Sequence, residues 1–480
     1  MKTMKKNSLV MAGLLLVSAA AMAQQRGGGI TSQMLQDIQN AQKATTQSKV
    51  VANALALNKI DDLAKNFSHQ GAFDTHFSVE TKSQSITDQK SSGRCWMFSG
   101  MNVLRSNFAN RTDEVAGFKP ADTSVQLEFS QDYLFFWDQL EKSNLFLQGV
   151  IDTGKKPMDD MRVQFFFHHP IGDGGTFCGV SDLTERYGLV PKDVMPETYS
   201  ADNTNVMARL LKSKLREQGL QLRDMVQKGK SAKDINKAKT QMLAEVYRML
   251  SLTLGEPVKE FTYTFKDKNG KALSAPKTYT PQSFYKEVVG EKLNGTFIMV
   301  MNDPRRDYYK TYEVEYDRHV QDGTNWVYLN LPMDDIEQLA IASLKDGRKL
   351  YSSYDVSKQL DRARGYADLD NYDYAMLFDT DFPMDKAQRI STYDSGSTHA
   401  MTLTAVDLDA QGKATKWKVE NSWGPAWGQK GCLIMTDRWF REYMFRLVVN
   451  KKYVPADMLK LAAQKPIMVM PEDPLFQYDE

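Results

Sequence analysis

A cysteine stands at the point where a glycine-containing loop turns into a helix, in residues 91–96 (Ser-Ser-Gly-Arg-Cys-Trp). Apolar residues follow with helical spacing at Met97, Met101 and Leu104, which places Cys95 in the first turn of the helix. A helix N-terminus carries partial positive charge and unpaired N–H groups, and both favour a thiolate over a thiol. Cys95 is therefore a candidate nucleophile, and it needs a base.

Two residues far downstream supply a base and a group to orient it. Residues 400–406 are predicted to form a strand, residues 409–412 a turn, and residues 416–420 the returning strand. Because the strands of a hairpin lie side by side, His399 and Asn421 are expected to face each other near one end. Asn421 can accept the imidazole N–H, which leaves the other ring nitrogen for Cys95. His399 alone would more often be a satisfied core histidine.

Together with Gln89, the segments around Cys95, His399 and Asn421 resemble the four signatures of papain-like cysteine peptidases. His399 follows Cys95 by about 300 residues, against about 130–150 in papain-type chains, so an insertion is expected between them. This longer form is similar to the bleomycin hydrolase and aminopeptidase C family from about Ser85 onward. The resemblance implies an α+β, papain-like two-lobe fold, with a helical lobe, a β-barrel-like lobe and a helical insertion.

The resemblance also assigns roles to individual residues. The Gln89 amide, with the Cys95 backbone N–H, is expected to bind the developing oxyanion. Residues 173–175 (Asp-Gly-Gly) would by themselves be an ordinary turn, but in this family a glycine pair lines the cleft and lets a substrate backbone approach. Trp423 is expected to shield the His399–Asn421 hydrogen bond. The predicted catalytic residues are Cys95, His399, Asn421 and Gln89, and the predicted substrate-binding residues are Asp173, Gly174, Gly175, Trp423 and Glu480.

The C-terminal segment, residues 471–480, is predicted to be extended because Pro471 and Pro474 prevent a helix. A frayed terminus is the ordinary alternative. The resemblance implies an arm that lies in the cleft, with the carboxylate of Glu480, or of a residue exposed by trimming, facing the free amine of a peptide substrate. The predicted function is therefore a cysteine aminopeptidase. The alternatives are an endopeptidase with an open cleft and a non-catalytic scaffold.

The N-terminus, residues 1–23, resembles a signal peptide. Lys2, Lys5 and Lys6 precede an apolar run that ends at Ala-Met-Ala, and this run is shorter than the roughly 20 residues that span a bilayer. We expect an exported protein, periplasmic or secreted, without a membrane anchor after cleavage. An uncleaved anchor is the alternative.

Charge and composition limit which partners and cofactors are expected. With 61 basic and 60 acidic residues, the chain is not expected to bind nucleic acid. The predicted chemistry needs no metal or organic cofactor. Adjacent His168 and His169 have no third ligand at a recognisable spacing, and Asp368, Asp370 and Asp373 fit a calcium loop poorly. By resemblance alone, the protein is expected to assemble as a homohexamer.

Three cysteines are present, and Cys95 is the predicted nucleophile. Cys178 and Cys432 are expected either to pair or, more simply, to be two buried thiols. Many papain relatives place a disulfide cysteine three residues before the nucleophile, where this chain has Ser92.

The predicted domains follow the order of these features. Two long helices, Asn205 to Lys228 and Ala232 to Leu254, form the core of the insertion. The segments are a signal peptide (1–23), an N-terminal helical extension (24–75), a catalytic helical lobe (76–204), a helical and β insertion (205–295), a β-rich lobe (296–470) and a C-terminal arm (471–480).

Overall fold

The computed structural model describes residues 28–42 and 45–476, which contain sixteen α-helices and sixteen β-strands. The helices are α1 Ser32–Ala41, α2 Thr46–Leu55, α3 Ile60–Ala64, α4 Cys95–Ala109, α5 Gln131–Asp152, α6 Met161–His168, α7 Phe177–Tyr187, α8 Tyr199–Asp202, α9 Asn205–Gln227, α10 Ala232–Leu254, α11 Pro281–Val288, α12 Met333–Lys345, α13 Tyr374–Phe378, α14 Lys386–Ser391, α15 Asp437–Tyr443 and α16 Ala456–Ala462. The strands are β1 Val79–Glu80, β2 Val125–Gln126, β3 Phe261–Tyr263, β4 Lys266–Asp267, β5 Lys277–Tyr279, β6 Phe297–Met301, β7 Thr311–Val314, β8 Val327–Asn330, β9 Leu350–Tyr354, β10 Leu360–Asp361, β11 Tyr366–Ala367, β12 His399–Leu408, β13 Ala414–Glu420, β14 Cys432–Thr436, β15 Met444–Asn450 and β16 Ile467–Val469.

The chain divides into two compact units, and the first comprises residues up to Lys65 together with Met376–Asp379. In its described part, residues 28–42 and 45–65, the helices α1, α2 and α3 follow one another. Thr31 and Thr45 begin the first two, because each side chain accepts a backbone N–H of the first turn. The predicted signal peptide, residues 1–23, lies outside the described residues. None of the helices described combines the length and apolar character needed to span a bilayer.

The second unit contains a 12-stranded sheet with β12 in its interior. The sheet runs in the order β10, β11, β14, β13, β12, β9, β15, β6, β8, β7 and β16, and β1 also pairs with β12. The predicted hairpin is confirmed, since β12 and β13 are antiparallel with Thr402 opposite Glu420. Strand β9 flanks β12 on its other side, with His399 opposite Tyr354.

Helix α4, which begins at Cys95, packs against β12 and β9 on one side and against α7 on the other. Its apolar side chains Met97, Met101, Leu104 and Phe108 are almost completely buried. Burying each such side chain stabilises the fold by about 1.5–3 kcal/mol. The start of α4 is therefore held against the start of β12 by the core.

The two long helices of the insertion begin at the predicted residues, and α9 ends one residue earlier than expected. Gly229, with φ at +68°, ends α9, and Ser231 caps α10 by accepting the Asp234 N–H. Both helices pack on α5. A Cβ atom at Gly219 of α9 would lie 2.9 Å from the ring of Phe146 of α5, so a glycine permits this close approach.

Candidate active site

The loop before Cys95 is shaped by contacts to Asp173. The Asp173 carboxylate accepts the Gly93 N–H at 2.7 Å and the Thr204 hydroxyl at 2.5 Å. A Cβ atom at position 93 would lie 2.3 Å from Asp173 Oδ1, so any side chain there would displace the Asp173 carboxylate. The predicted substrate-binding residue Asp173 thus has its carboxylate engaged in holding the nucleophile loop, and a direct substrate contact for it stays a prediction.

Arg94, the residue before the nucleophile, is fully buried. It forms an ion pair with Glu197 at 2.7 Å and lies between the rings of Phe98 and Phe135. Its Nε donates to the Ser92 hydroxyl, which itself donates to the Gln89 carbonyl. Ser92 therefore ties the loop together by hydrogen bonds at the position where many papain relatives have a disulfide cysteine.

The structure brings Cys95, His399 and Asn421 together at the start of β12. The Ala400 N–H donates to Cys95 Sγ at 3.5 Å, so the half-buried thiol lies against the residue that follows His399. His399 Nε2 lies 2.8 Å from Asn421 Oδ1, and the same amide oxygen accepts the Ser422 N–H at 2.8 Å. Because Asn421 Oδ1 is an acceptor, Nε2 carries the imidazole proton and Nδ1 is left as the basic nitrogen.

Burial keeps this imidazole neutral. It lowers the pKa of His399 to about 4, which outweighs the raising effect of the Asn421 hydrogen bond, and the charge of Arg362 lowers the pKa further. Trp423 lies over the imidazole, with the ring centroids 4.8 Å apart, and Trp427 packs against Trp423 edge-on. Trp423 thus lies beside the His399–Asn421 hydrogen bond, and its shielding role stays a prediction.

Gln89 is anchored to the segment that follows Asn421. Its backbone N–H donates to the Ser422 carbonyl at 2.8 Å, and the Gly424 N–H donates to the Thr87 carbonyl at 3.1 Å. The side-chain oxygen of Gln89 accepts a hydrogen bond from the Ser422 hydroxyl at 2.5 Å. Its side-chain Nε2 donates to the Ser92 carbonyl, also at 2.5 Å. One of the two Nε2 hydrogens is used in this way, so the other remains for the predicted oxyanion contact.

The loop of residues 172–176 carries Gly174 and Gly175. The predicted reason for the glycines is the approach of a substrate backbone, but Gly175 is also required by packing inside the protein. A Cβ atom at Gly175 would lie 2.2 Å from the His319 ring and 2.8 Å from the Trp96 ring. The missing side chain of Gly175 thus faces the interior, where no further atom fits. Its backbone N–H and C=O have no hydrogen-bonding partner within residues 28–42 and 45–476, which suits the predicted pairing with a substrate backbone.

The end of the described chain lies beside the start of β12. Asp473 accepts hydrogen bonds from Arg305 and Arg306, each at 2.6 Å. The Leu475 carbonyl accepts the Ser397 N–H at 3.3 Å, two residues before His399, and Leu475 and Phe476 are both buried. Glu480, the last predicted substrate-binding residue, lies outside the described residues.

Several residues near the site carry no sequence signal. Asp138 contacts both Lys142 and His319, and these two contact the 172–176 loop, although His319 lies 181 positions from Asp138. Arg305 and Arg306 bind the tail from more than 160 positions away. A local pattern cannot reveal such pairs, since tertiary packing alone brings them together.

Two side-chain clusters in the described chain could hold a metal ion, with ligand atoms within 4.8 Å of one another: His168, His169 and Glu472, and His69, Asp368 and Asp370. In the first cluster, the fold supplies the third ligand that spacing did not indicate.

Cys178 and Cys432 are free and buried, as the simpler of the two predictions states. Burial raises the pKa of Cys432 to about 11 and raises that of Cys178 further, so both thiols are poor nucleophiles.

Comparisons with known proteins show which family this chain is similar to. The chain matches the Peptidase C1-like family over residues 29–476. It is 40% identical over 431 residues to aminopeptidase C of Lactobacillus delbrueckii subsp. lactis, covering 89% of this chain and 93% of the relative. It is 38% identical over 405 residues to human bleomycin hydrolase, covering 83% of this chain and 87% of the relative.

A solved structure extends this likeness to the fold. The crystal structure of PepW from Lactobacillus rhamnosis is 38% identical, with a TM-score of 0.87 over 93% of this chain and 99% of that chain. The predicted papain-like α+β fold is thereby confirmed. The chain therefore belongs to the Peptidase C1-like family, in its bleomycin hydrolase and aminopeptidase C group, and is a cysteine-type peptidase.

Proposed function

We propose that this protein is a cysteine aminopeptidase, which cleaves peptide bonds near a free N-terminus and uses its C-terminal arm to limit the cleft. Two findings support the proposal. Relatives at 37–40% identity are named aminopeptidases C and G and bleomycin hydrolase. The thiol, the imidazole and the amide meet at the start of β12, as a thiolate mechanism requires.

In this mechanism Nδ1 of His399 takes the proton of the Cys95 thiol. The thiolate attacks the scissile carbonyl carbon, a C–S bond forms, and the negative charge moves to the carbonyl oxygen. The second Nε2 hydrogen of Gln89 and the Cys95 N–H stabilise that oxygen. The imidazolium then protonates the leaving amine as the C–N bond breaks. Water, deprotonated by His399, finally hydrolyses the thioester and releases the acid.

Asn421 and Trp423 keep the imidazole ready for both proton transfers. The amide oxygen fixes Nε2 as the donor, so Nδ1 cannot lose its role through a tautomer change. The lowered pKa of His399 leaves Nδ1 unprotonated in the free enzyme at neutral pH. A proton taken from Cys95 therefore stays on the imidazole only while a nearby negative charge offsets its own, first the thiolate and then the oxyanion.

The single observation that carries the aminopeptidase proposal is the hydrogen bond between the Leu475 carbonyl and the Ser397 N–H. It holds Leu475 beside Ser397, which precedes His399 by two residues. The four residues after Phe476 reach at most about 14 Å when extended, so the anchor sets where the terminal carboxylate of Glu480 can lie. A carboxylate in a confined groove attracts a free α-amine and disfavours an acylated one.

The test compares the full-length protein with a chain that ends at Phe476. This truncation keeps the buried Leu475 and Phe476 anchor and removes the rest of the arm. Each protein receives two fluorogenic peptides that differ only in N-terminal acetylation. We expect the truncation to lower kcat/KM for the free peptide and to raise it for the acetylated one.

A Glu480→Gln variant is the matched control, because it changes the last side chain but keeps a terminal α-carboxylate. It should behave like the unmodified protein. Equal treatment of both peptides by the full-length and truncated proteins would reject the role of the arm and favour the endopeptidase alternative. A wild-type protein that cleaves neither peptide would favour a scaffold.

A further inference from the structure

We propose that Asp138, Lys142 and His319 are positioning residues that hold the 172–176 loop in the conformation that binds the substrate backbone. The inference rests on the proposed peptidase function. We call these three side chains the loop clamp. Lys142 and His319 form hydrogen bonds to the loop backbone, and Asp138 binds both of them.

The loop clamp is a buried network of ionisable groups. Asp138 is fully buried and His319 is 2% exposed. Asp138 Oδ1 lies 2.5 Å from His319 Nδ1, and Asp138 Oδ2 lies 2.9 Å from Lys142 Nζ. Buried ion pairs of this kind add little net stability over apolar side chains of the same size. Stability alone therefore does not explain why three ionisable side chains are buried at this place.

The orientation of His319 follows from its neighbours. Its Nε2 accepts the Thr176 N–H at 3.3 Å, so Nε2 carries no proton. Nδ1 is then the protonated nitrogen and donates to Asp138. The ring also fits between two glycines, since a Cβ atom at Gly175 or at Gly179 would lie within 2.6 Å of it. His319 is therefore fixed by packing and by both ring nitrogens.

Lys142 binds the other side of the loop. Its Nζ donates to the Gly172 carbonyl at 3.0 Å and to the Gly174 carbonyl at 2.6 Å. Trp96, the residue next to the nucleophile, donates its indole N–H to the Asp173 carbonyl at 2.8 Å. Three successive carbonyls and the Thr176 N–H thus bind the protein interior.

Among residues 172–176, Gly175 is the one whose N–H and C=O both lack a partner in the described chain. An extended substrate needs one such donor–acceptor pair to add its backbone to the loop. The loop clamp fixes the Gly172 and Gly174 carbonyls before this pair and the Thr176 N–H after it. It therefore presents the pair in one orientation and removes the entropy cost of ordering it on binding.

The test uses Lys142→Met, which keeps a long apolar stem and good helix propensity but removes the charge. The substrate is a dialanyl fluorogenic peptide, free or N-acetylated. We expect KM to rise about tenfold, the equivalent of two weakened backbone hydrogen bonds, with kcat nearly unchanged. The rate at which iodoacetamide alkylates Cys95 should stay the same, because this small reagent does not use the loop.

Lys228→Met is the matched control. It removes an i,i+4 Lys–Asp pair with Asp224 on the exposed surface of α9 and should leave KM unchanged. Should Lys142→Met not fold, as judged by circular dichroism, Lys142→Arg takes its place. It keeps the charge beside Asp138, but it replaces a compact ammonium by a wider planar guanidinium, which should shift the two carbonyls. KM should therefore still rise. His319→Gln, which retains an acceptor for the Thr176 N–H, should lie closer to the wild type than His319→Leu.

An unchanged KM in the folded Lys142 variants would overturn the proposal. A parallel fall in kcat and in Cys95 alkylation would also overturn it, because both together indicate a general disturbance of the site. The wild-type preference between free and acetylated peptide tests the aminopeptidase function separately, since the KM shift is measured on whichever peptide is cleaved.

Discussion

Replacing Asp473 by asparagine should release the C-terminal arm without altering its shape. The carboxylate of Asp473 binds Arg305 and Arg306 at 2.6 Å each, and both arginines also bind the buried Asp303. Asparagine keeps one oxygen acceptor in the same place, but it has no charge. The substitution therefore tests the electrostatic part of the anchor.

The size of the effect follows from these contacts. A hydrogen bond to a charged group contributes about 1.5–3 kcal/mol, and the partial exposure of the two arginines, 13% and 21%, argues for the lower end. In the asparagine variant one of these bonds is lost and the other loses its charge. The docking of the arm is then weakened by up to about 3 kcal/mol, or up to roughly 100-fold in the ratio of docked to released arm. Burial of Leu475 and Phe476 adds about 1.5–3 kcal/mol each, against about 1–2 kcal/mol for each residue ordered.

The dependence of docking on pH has a definite sign. Burial raises the pKa of Asp473, but the hydrogen bonds from Arg305 and Arg306 outweigh it, so the pKa lies below its ordinary value. The contribution of this carboxylate to docking is thus fully present above about pH 4 and is lost only as the pH falls through the lowered pKa. The arm should remain docked at neutral and mildly acidic pH.

The assay is digestion with a carboxypeptidase, followed by intact mass. Release of Phe476 and Leu475 requires the arm to leave its site, so the Asp473→Asn protein should lose them up to about 100-fold faster than the wild type. Glu472→Gln is the matched control, because it neutralises the neighbouring residue and leaves both arginine contacts intact. Equal rates for Asp473→Asn and wild type would refute the anchor.

Cys95→Ala and His399→Ala should each abolish peptide hydrolysis while the circular dichroism spectrum stays the same, and Asn421→Ala should retain more activity because it removes orientation and not the proton acceptor. Between about pH 4 and 6.5 the unfolded chain protonates His399 and the folded chain does not, so the free energy of unfolding should fall on acidification. Denaturant titrations at pH 7 and pH 5 should show a smaller fall for His399→Gln. N-terminal sequencing of protein from its natural source should begin near Gln24 and not at Met1, and light scattering at micromolar concentration should give a hexamer, not a monomer.

The place of Cys95 at the start of a helix and the proximity of His399 to Asn421 could be predicted because their signals are local. Cys95 stands at a loop-to-helix boundary, and a hairpin, which alternation and a turn make recognisable, brings His399 and Asn421 together. The two insertion helices were predictable for the same reason, since their periodicity and the glycine between them lie within one stretch of chain.

The parts that sequence did not indicate depend on packing between distant segments. Lys142 is an ordinary helical lysine until the fold places two carbonyls of the 172–176 loop beside it. The sequence shows the glycine at position 175, but it does not show that the His319 ring packs against it, because His319 lies 144 positions further along. Arg305 and Arg306 likewise find their partner only when the fold brings Asp473 of the C-terminal segment beside them.

Alkylation of Cys95 tests the central claim most directly. Brief treatment of the full-length protein with limiting iodoacetamide, followed by peptide mapping, gives the modified fraction of each cysteine beside the remaining peptidase activity. We expect Cys95 alone to react, since Cys178 and Cys432 are buried and have raised pKa values, and we expect activity to fall in proportion to its modification. Peptide hydrolysis that persists when Cys95 is fully alkylated would contradict the account.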